Sequence, residues 1–111
     1  MKVALETRAG GAAVVRLVGR LDLLSAADVK KRLADAVAAG HRRLVADLSQ
    51  VTFVDSSGLG ALIAGLKATR LAGGDLRIAR PADQARVVLE LTSLNRVLVT
   101  YPTVEEALAG F

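Results

Sequence analysis

Several residue types are absent or rare in this chain of 111 residues, and each absence excludes a class of function. The chain has no cysteine, which excludes a disulfide scaffold, a thiolate metal site and a cysteine nucleophile. The single histidine, His41, excludes a histidine cluster. The aromatic residues Phe53, Tyr101 and Phe111 are too few to stack the bases of single-stranded nucleic acid. No apolar run reaches the roughly 18 residues of a membrane-spanning helix, so we expect no membrane insertion.

Composition and charge indicate one globular domain. Apolar residues make up 52% and charged residues 23%, and the length predicts a single domain over residues 1–111. The net charge is +4, but the basic residues are scattered, with tight groups at Lys30–Arg32 and Arg42–Arg43. Nucleic-acid binding requires one basic stripe, so we expect no direct contact with nucleic acid, although the charge favours an acidic partner surface. The segment Met1–Arg8 mixes acidic and basic residues where a signal peptide is apolar, which predicts a cytoplasmic protein.

The hydrophobic pattern predicts strands that alternate with helices. Ala9–Gly11 is typical of a hairpin turn, Ser25 and Thr103 of helix N-caps, and Gly40 of a helix stop. The order, ββαβαβαβα, is typical of a single two-layer α/β domain with a mixed, mostly parallel sheet. The predicted strands are Val3–Thr7, Ala12–Val18, Arg43–Leu48 with an extension over Val51–Val54, Leu76–Ala79 and Val97–Val99, and the predicted helices are Ala26–Ala39, Leu59–Leu71, Pro81–Leu91 and Val104–Ala109.

The turn from Asp55 to Gly60 carries the strongest functional signal. Two serines, Ser56 and Ser57, compete with Asp55 for one N-cap position, so we expect at least one hydroxyl to be free and near the surface. Gly58 and Gly60 each disfavour the helix by up to ~1 kcal/mol relative to alanine, and a cap alone does not need them. We therefore expect them to admit another backbone or a phosphate.

A phosphate at this turn would meet backbone N–H groups and the positive end of a helix dipole, so the helix would tolerate it. Its charge of about −1.5 to −2 would act outward, on whatever docks there. Asp22 and Asp55 are expected at the same strand ends and would repel it. The pattern therefore favours a reversible charge over a permanent ligand.

The helix that follows this turn is apolar on every face of its first half. Leu59, Leu62, Ile63 and Leu66 form the expected core face, and no charge occurs before Lys67. Such a helix is either buried all round or covers a partner site, and full burial is difficult in a two-layer domain. We predict a partner-binding face made of small residues together with the neighbouring Arg20. Its members are Gly58, Gly60, Ala61, Ala64, Gly65, Ala68 and Arg20.

Two segments resemble the signature motifs of one family. Leu48–Gly60, which contains Asp-Ser-Ser-Gly-Leu-Gly, looks like the signature of the STAS domain, in particular of the bacterial anti-sigma factor antagonists. Gly19-Arg20-Leu21-Asp22 resembles the second motif of that family at the expected distance upstream. Length and element order match over essentially the whole chain. The resemblance implies a STAS domain over residues 1–111.

The resemblance also implies a function and its switch. In this family the unphosphorylated antagonist binds an anti-sigma factor, itself a serine kinase, and frees the sigma factor for transcription. The kinase, which brings ATP and Mg²⁺, can phosphorylate the antagonist and end the binding, and a serine phosphatase resets the switch. The phosphorylated serine maps to Ser57, with Ser56 as the neighbouring alternative. Asp22 maps to the acidic residue beside the site, and we expect Asp55, Ser56 and Gly58 to support it too.

One position departs from the family pattern. Many members have glutamate where this chain has Arg20, which reverses a charge close to the expected interface. The identity of the kinase partner therefore stays open. Neither a cofactor nor a metal is implied for this chain, because Asp22 and Asp55 alone are too few ligands for a dedicated site.

Two other functions remain alternatives. The domain could be a static scaffold, such as a subunit of a lipid transporter or of a signalling assembly, which would need the docking helix but not the serine. A hydrolase that uses Ser56 or Ser57 as nucleophile would need a nearby base and a Gly-x-Ser-x-Gly elbow. The turn lacks that elbow, and His41 falls in a loop between a helix and a strand, so we do not expect an enzyme.

Overall fold

The computed structural model describes residues 1–111, which form one five-stranded sheet with four α-helices. Strands follow the sheet in chain order, β1-β2-β3-β4-β5. The elements are β1 (Lys2–Arg8), β2 (Ala12–Leu21), α1 (Ala26–Ala38), β3 (Arg43–Val54), α2 (Ser56–Leu71), β4 (Asp75–Ala79), α3 (Asp83–Leu91), β5 (Thr100–Tyr101) and α4 (Val104–Ala109), with 3-10 turns at Ala9–Gly11 and Leu94–Arg96.

The sheet is mixed, as the sequence predicts. β1 and β2 form an antiparallel hairpin, and Gly10 and Gly11 supply the positive φ angles of its turn (74° and 76°). β2, β3, β4 and β5 run parallel, connected by helices. The predicted α/β fold with a mixed, mostly parallel sheet is therefore confirmed.

Helices α1, α2 and α3 cover one face of the sheet and bury the main core. Their apolar side chains pack on the sheet through Leu33 of α1, Leu62 of α2 and Leu89 of α3, all almost inaccessible to water. The short α4 packs on the opposite face, where Val104 and Ala107 form a smaller cluster with residues of β2, β3 and β4. The first turn of α2 therefore lies at the carboxyl edge of β2 and β3, where the connections emerge.

The uncovered part of that opposite face carries a network of ion pairs. Asp47 of β3 is 3% exposed and lies between Arg16, whose Nη1 is 2.6 Å from Oδ2, and Arg80. Arg16 also contacts Glu6, which in turn pairs with Arg8. Desolvation works to raise the pKa of Asp47, but hydrogen bonds from Arg80 and Ser49 outweigh it, so this pKa lies below its usual range.

Several local predictions are wrong. The hydroxyl of Ser25 does not cap α1: it donates to the carbonyl of Arg20 (2.7 Å) and accepts from the backbone N–H of Asp22 (3.0 Å), which tightens the loop before the helix. Pro81 precedes α3, which begins at Asp83, because Arg80 and Ala82 take non-helical backbone angles. Thr103, by contrast, caps α4 as predicted, accepting from Glu106 N–H at 3.0 Å.

The last predicted strand lies elsewhere. Val97–Val99 is not a strand: Leu98 turns fully into the core, and the pairing strand is Thr100–Tyr101. The carbonyl of Val99 nonetheless accepts a hydrogen bond from Ile78 N–H (2.9 Å), so the connection joins the sheet one residue before β5. Three larger differences remain. β2 continues past its predicted end at Val18, through Gly19 and Arg20, to Leu21. β3 runs unbroken from Arg43 to Val54, and α2 begins at Ser56, three residues before the predicted start.

Candidate functional site

The candidate site is built where two paired strands end together. Leu21, the last residue of β2, is paired with Val54, the last residue of β3. Asp22 and Asp55 follow these two residues directly, so the expected juxtaposition of the two acidic residues at one sheet edge is found. The backbone N–H of Asp55 donates to the carbonyl of Leu21 (3.2 Å), which ties the two connections together.

Asp55 holds the N-terminus of α2. Its Oδ1 accepts from the backbone N–H of Gly58 at 2.9 Å, which makes Asp55 the N-cap. Its Oδ2 accepts from the backbone N–H of Leu23 at 3.2 Å and so fixes the loop after β2 against the helix. Asp55, and not Ser56 or Ser57, is therefore the residue that caps α2. Ser56 is exposed and Ser57 half-buried, and neither hydroxyl is needed for capping.

Asp22 is held by its own loop. Its Oδ1 accepts from the backbone N–H of Leu24 (3.1 Å), and its Oδ2 lies 3.3 Å from Nε of Arg20. Desolvation works to raise the pKa of Asp22, but hydrogen bonds from Arg20 and from the backbone of Leu24 and Ser25 outweigh it and lower the pKa. Asp22 is therefore a charged residue that shapes the loop beside the helix.

Arg20 lies at the rim of the site. Its guanidinium stacks 4.3 Å above the ring of Phe53 and remains 61% exposed while it contacts Asp22. The stacking holds a positive charge in a defined place. Arg20 is thus accessible, as the prediction of a partner-facing residue requires.

Three of the predicted partner-binding residues face the interior instead. A Cβ at Gly58 would lie 2.1 Å from the carbonyl oxygen of Leu21, and a Cβ at Gly65 would lie 2.4 Å from Cδ1 of Leu33. Ala61 is 4% exposed and lies between them on the same side of α2. Gly58, Ala61 and Gly65 therefore allow α2 to pack closely against the end of β2 and against α1, and their assignment to a partner surface is wrong.

The remaining small residues do reach the surface. Gly60 is exposed with no atom within 4 Å of the place where a Cβ would be, and Ala64 and Ala68 are half-buried along the same side of the helix. They continue the exposed side that begins at Ser56 and Ser57. An incoming backbone could approach this side of α2 closely.

The loop after β2 adds two large apolar side chains that sequence reasoning missed. Leu23 is 74% exposed and Leu24 is 93% exposed, and the bond from Leu23 N–H to Asp55 places them beside the start of α2. The alternation of charged and apolar residues over Arg20–Leu23, followed by a second leucine, was the available signal, but it also fits the end of a strand. Leu23, Leu24 and the exposed side of α2 (Ser56, Ser57, Gly60, Ala64, Ala68) are called the loop–helix surface below.

The structure contains no cluster of three or more His, Cys, Asp or Glu side chains placed to hold a metal ion. None of its helices has the length and apolar character needed to cross a bilayer. The loop–helix surface offers hydroxyls, backbone N–H groups and apolar side chains. Chemically, it can accept a phosphoryl group or a protein partner.

Comparisons with known proteins identify the family of this chain. The profile of the STAS domain matches residues 4–107. The anti-sigma-F factor antagonist RsfB of Mycobacterium tuberculosis is 29% identical over 102 residues, which cover 90% of this chain and 81% of that protein. A Thermotoga neapolitana protein, whose name assigns it provisionally to the same group, is 33% identical over 69 residues. That alignment covers 62% of this chain and spans 61% of the relative's length.

A solved structure extends the likeness to the whole fold. The crystal structure of an anti-sigma factor antagonist from Mycobacterium paratuberculosis superposes with a TM-score of 0.87 at 28% identity, covering 98% of this chain and 92% of the other. The resemblance seen in the two sequence motifs is thus confirmed by a match over nearly all of the chain. On the strength of the family profile, this chain belongs to the STAS domain family.

Proposed function

We propose that this chain is an anti-sigma factor antagonist whose binding is switched off by phosphorylation of Ser57. It binds an anti-sigma factor that is also a serine kinase, in the cytoplasm, and so releases a sigma factor. A separate serine phosphatase restores the binding form. The names of the relatives support the general role, and the geometry of the first turn of α2 supports the switch.

One observation carries the proposal: Asp55 caps α2, so the two serines behind it are not used as caps. Ser57 is half-buried in the first turn of α2, two residues after Asp55, whose carboxylate also holds the loop that carries the exposed Leu23 and Leu24. A kinase that docks on these apolar side chains would have a serine hydroxyl within its contact area. Binding and modification would then compete for the same surface.

The phosphoryl transfer needs no catalytic group from this chain. The Oγ of Ser57 would form a bond to the γ-phosphorus of ATP held by the kinase as the bond to ADP breaks, and the hydroxyl proton would pass to a base of the kinase. Backbone N–H groups and the helix dipole would stabilise the new phosphate without unwinding α2. The added charge would then face the partner, where it disfavours binding to an apolar or acidic surface.

The test is a pull-down from the native host with variants at Ser57 and at a control serine. Ser57→Asp is expected to lose a kinase-like protein that the wild type retains, and Ser57→Ala to retain it in the presence of ATP. Ser93→Asp is the matched control, since it adds the same charge at an exposed serine outside the loop–helix surface, and it is expected to keep the partner. Mass spectrometry after incubation with the captured kinase and ATP is expected to find one phosphate, on Ser57.

Other outcomes discriminate between the alternatives. A phosphate found on Ser56 would move the switch by one residue. A transporter ATPase captured equally by the wild type and by both aspartate variants would favour a static scaffold. Absence of phosphate from both serines would overturn the switch.

A further inference from the structure

The two edges of the sheet differ in their protection against strand pairing. β5 is two residues long and is followed by Pro102, and shortness and proline are common protections of an edge. β1 is seven residues long, contains no proline and pairs with β2 in an unshifted register. Its outer edge therefore presents a long, regular row of backbone donors and acceptors.

Among the registers that pair at least five residues of β1 with a second copy of itself, charge selects one. In an antiparallel pair, the numbers of two opposed residues have the same sum all along the strands, and this sum defines the register. Because side chains alternate between the two faces of a strand, the core-side residues of both copies lie on the same face only when the sum is even. A sum of 10 opposes Lys2 to Arg8, and a sum of 12 opposes Glu6 to Glu6, so both place like charges together. A sum of 8 opposes Lys2 to Glu6 and centres the pair on Ala4.

The same register matches the apolar side chains. With Ala4 opposite Ala4, Val3 of one copy lies opposite Leu5 of the other on the core side of the sheet. Leu5 is 46% exposed in the single chain, although it lines a groove on the core side of β1 together with Val3. Pairing with a second β1 would cover the Leu5 side chain at the edge of the sheet that is unpaired in the single chain.

The groove at this edge would also be covered. It has a volume of about 260 Å³ between β1 and α1, and most of its lining is apolar, including Val3, Leu5 and Ala36. Two charged residues of opposite sign, Arg32 and Asp35, also line the groove. The grooves of two copies related by a two-fold axis therefore carry no net charge and do not repel each other. The second β1 would lie along the open side of this groove.

We propose that this chain self-associates through antiparallel pairing of β1 with β1 of a second copy, centred on Ala4. The two sheets then form one ten-stranded sheet about a two-fold axis. Five paired residues bury well under the ~800 Å² per partner of a standard interface, so the dimer is weak, with a dissociation constant of about 10 μM to 1 mM. No residue of the loop–helix surface takes part.

Cysteine cross-linking tests the register, because the chain has no cysteine of its own. Ala4→Cys places two thiols opposite each other at the axis, where Cβ atoms of paired residues lie about 4.5 to 5.5 Å apart. Lys2→Cys is the matched control: its two copies lie about 14 Å apart in the same register. Under mild oxidation at about 100 μM protein, Ala4→Cys is expected to form the disulfide dimer at least ten times faster.

Sedimentation equilibrium tests the association without a cross-link. The wild type is expected to show a concentration-dependent dimer, and Leu5→Lys, which places a charge on the paired apolar face, is expected to remain monomeric. Leu71→Lys alters a side chain that is 90% exposed at the far end of α2 and is expected to dimerise like the wild type. Thermal unfolding shows whether each variant is folded.

A wild type that stays monomeric at about 1 mM, or cysteine variants that cross-link at equal rates, would overturn the proposal. Neither result bears on the role of Ser57, because the pull-down with the Ser57 variants uses a different face of the molecule.

Discussion

Gly58 touches the end of β2 so closely that a Cβ there would lie 2.1 Å from the carbonyl oxygen of Leu21. Gly60, two residues later, has open space at the same position. Two glycines of one motif therefore serve different purposes. The first lets the helix start against the strand, and the second leaves an exposed part of the helix without a side chain, where the proposed partner could approach closely.

Replacing each glycine by alanine separates these roles. Gly58→Ala is expected to lower the free energy of unfolding by about 1 to 3 kcal/mol, because a backbone oxygen rather than a flexible side chain must move. Gly60→Ala is expected to leave stability unchanged or raise it by up to ~1 kcal/mol through helix propensity. Urea unfolding measures both. Equal stability of the two variants would contradict the close approach.

The exposed leucines of the loop are expected to matter for binding and not for folding. Leu24→Ser removes a side chain that is 93% exposed, so the free energy of unfolding should change by less than about 0.5 kcal/mol. Affinity for the captured partner should fall at least tenfold, since the variant removes an apolar contact from the proposed interface. Titration calorimetry measures it. Leu71→Ser, equally exposed but remote, is the control and should bind like the wild type.

Asp55 is expected to stabilise the helix start and the loop together. Asp55→Ala should lower the free energy of unfolding by about 0.5 to 2 kcal/mol, as the loss of an N-cap does. The backbone N–H groups of Gly58 and Leu23 both lose their acceptor, so hydrogen exchange should accelerate at both. Faster exchange at Gly58 alone would show that the loop is held by other contacts.

The ion pairs of Asp47 predict a dependence of stability on pH. Its pKa is lowered in the folded chain, so the charged form stabilises the fold above the ordinary aspartate pKa of about 3.9, and this stabilisation is lost as the pH falls through the folded pKa. Asp47→Asn should lower the free energy of unfolding by about 1.5 to 3 kcal/mol near neutral pH.

The difference between the wild type and Asp47→Asn should shrink below about pH 4. Asp22, whose pKa is also lowered, lies outside this network and cancels in the comparison. Glu6 shares Arg16 with Asp47, so the measured difference includes the response of the Glu6–Arg16 pair. Unfolding in urea across an acid series is the measurement. A difference that stays constant with pH would assign the effect of Asp47 to packing.

Much of the fold was predictable because residues close together in the sequence determine where each strand, helix and turn forms. The alternation of apolar runs and turn residues predicts the element order, and the motif at Asp55–Gly60 predicts a helix next to two serines, although α2 starts at Ser56 and not at Leu59. The wrong predictions concern segments whose conformation depends on contacts with residues that are distant in the sequence. Val97–Val99 has strand-forming residues, yet burial of Leu98 turns the chain before the sheet is reached.

The positions of Asp22, Asp55 and the two serines at one edge of the sheet were predictable, but the set of residues that form the exposed surface around them was not. Small residues on a helix allow close packing whether the neighbour is a partner or another helix of the same chain. Sequence alone could not show that α1 lies against Gly65 through Leu33. The exposure of Leu24 was equally hidden, since an apolar residue next to a strand is more often buried. Phosphorylation of Ser57 remains a prediction.

The pairing of Leu21 with Val54 fixes the start of α2 and the loop after β2 to the same rung of the sheet. Leu23 and Leu24 extend from that loop while its backbone is held by carboxylates, so their side chains can be exchanged without moving the helix. Under the proposed function, mutation of these two leucines would change which protein is recognised while the serines keep their place. Paralogues within one cell could diverge in specificity by this route and still respond to the same kind of signal.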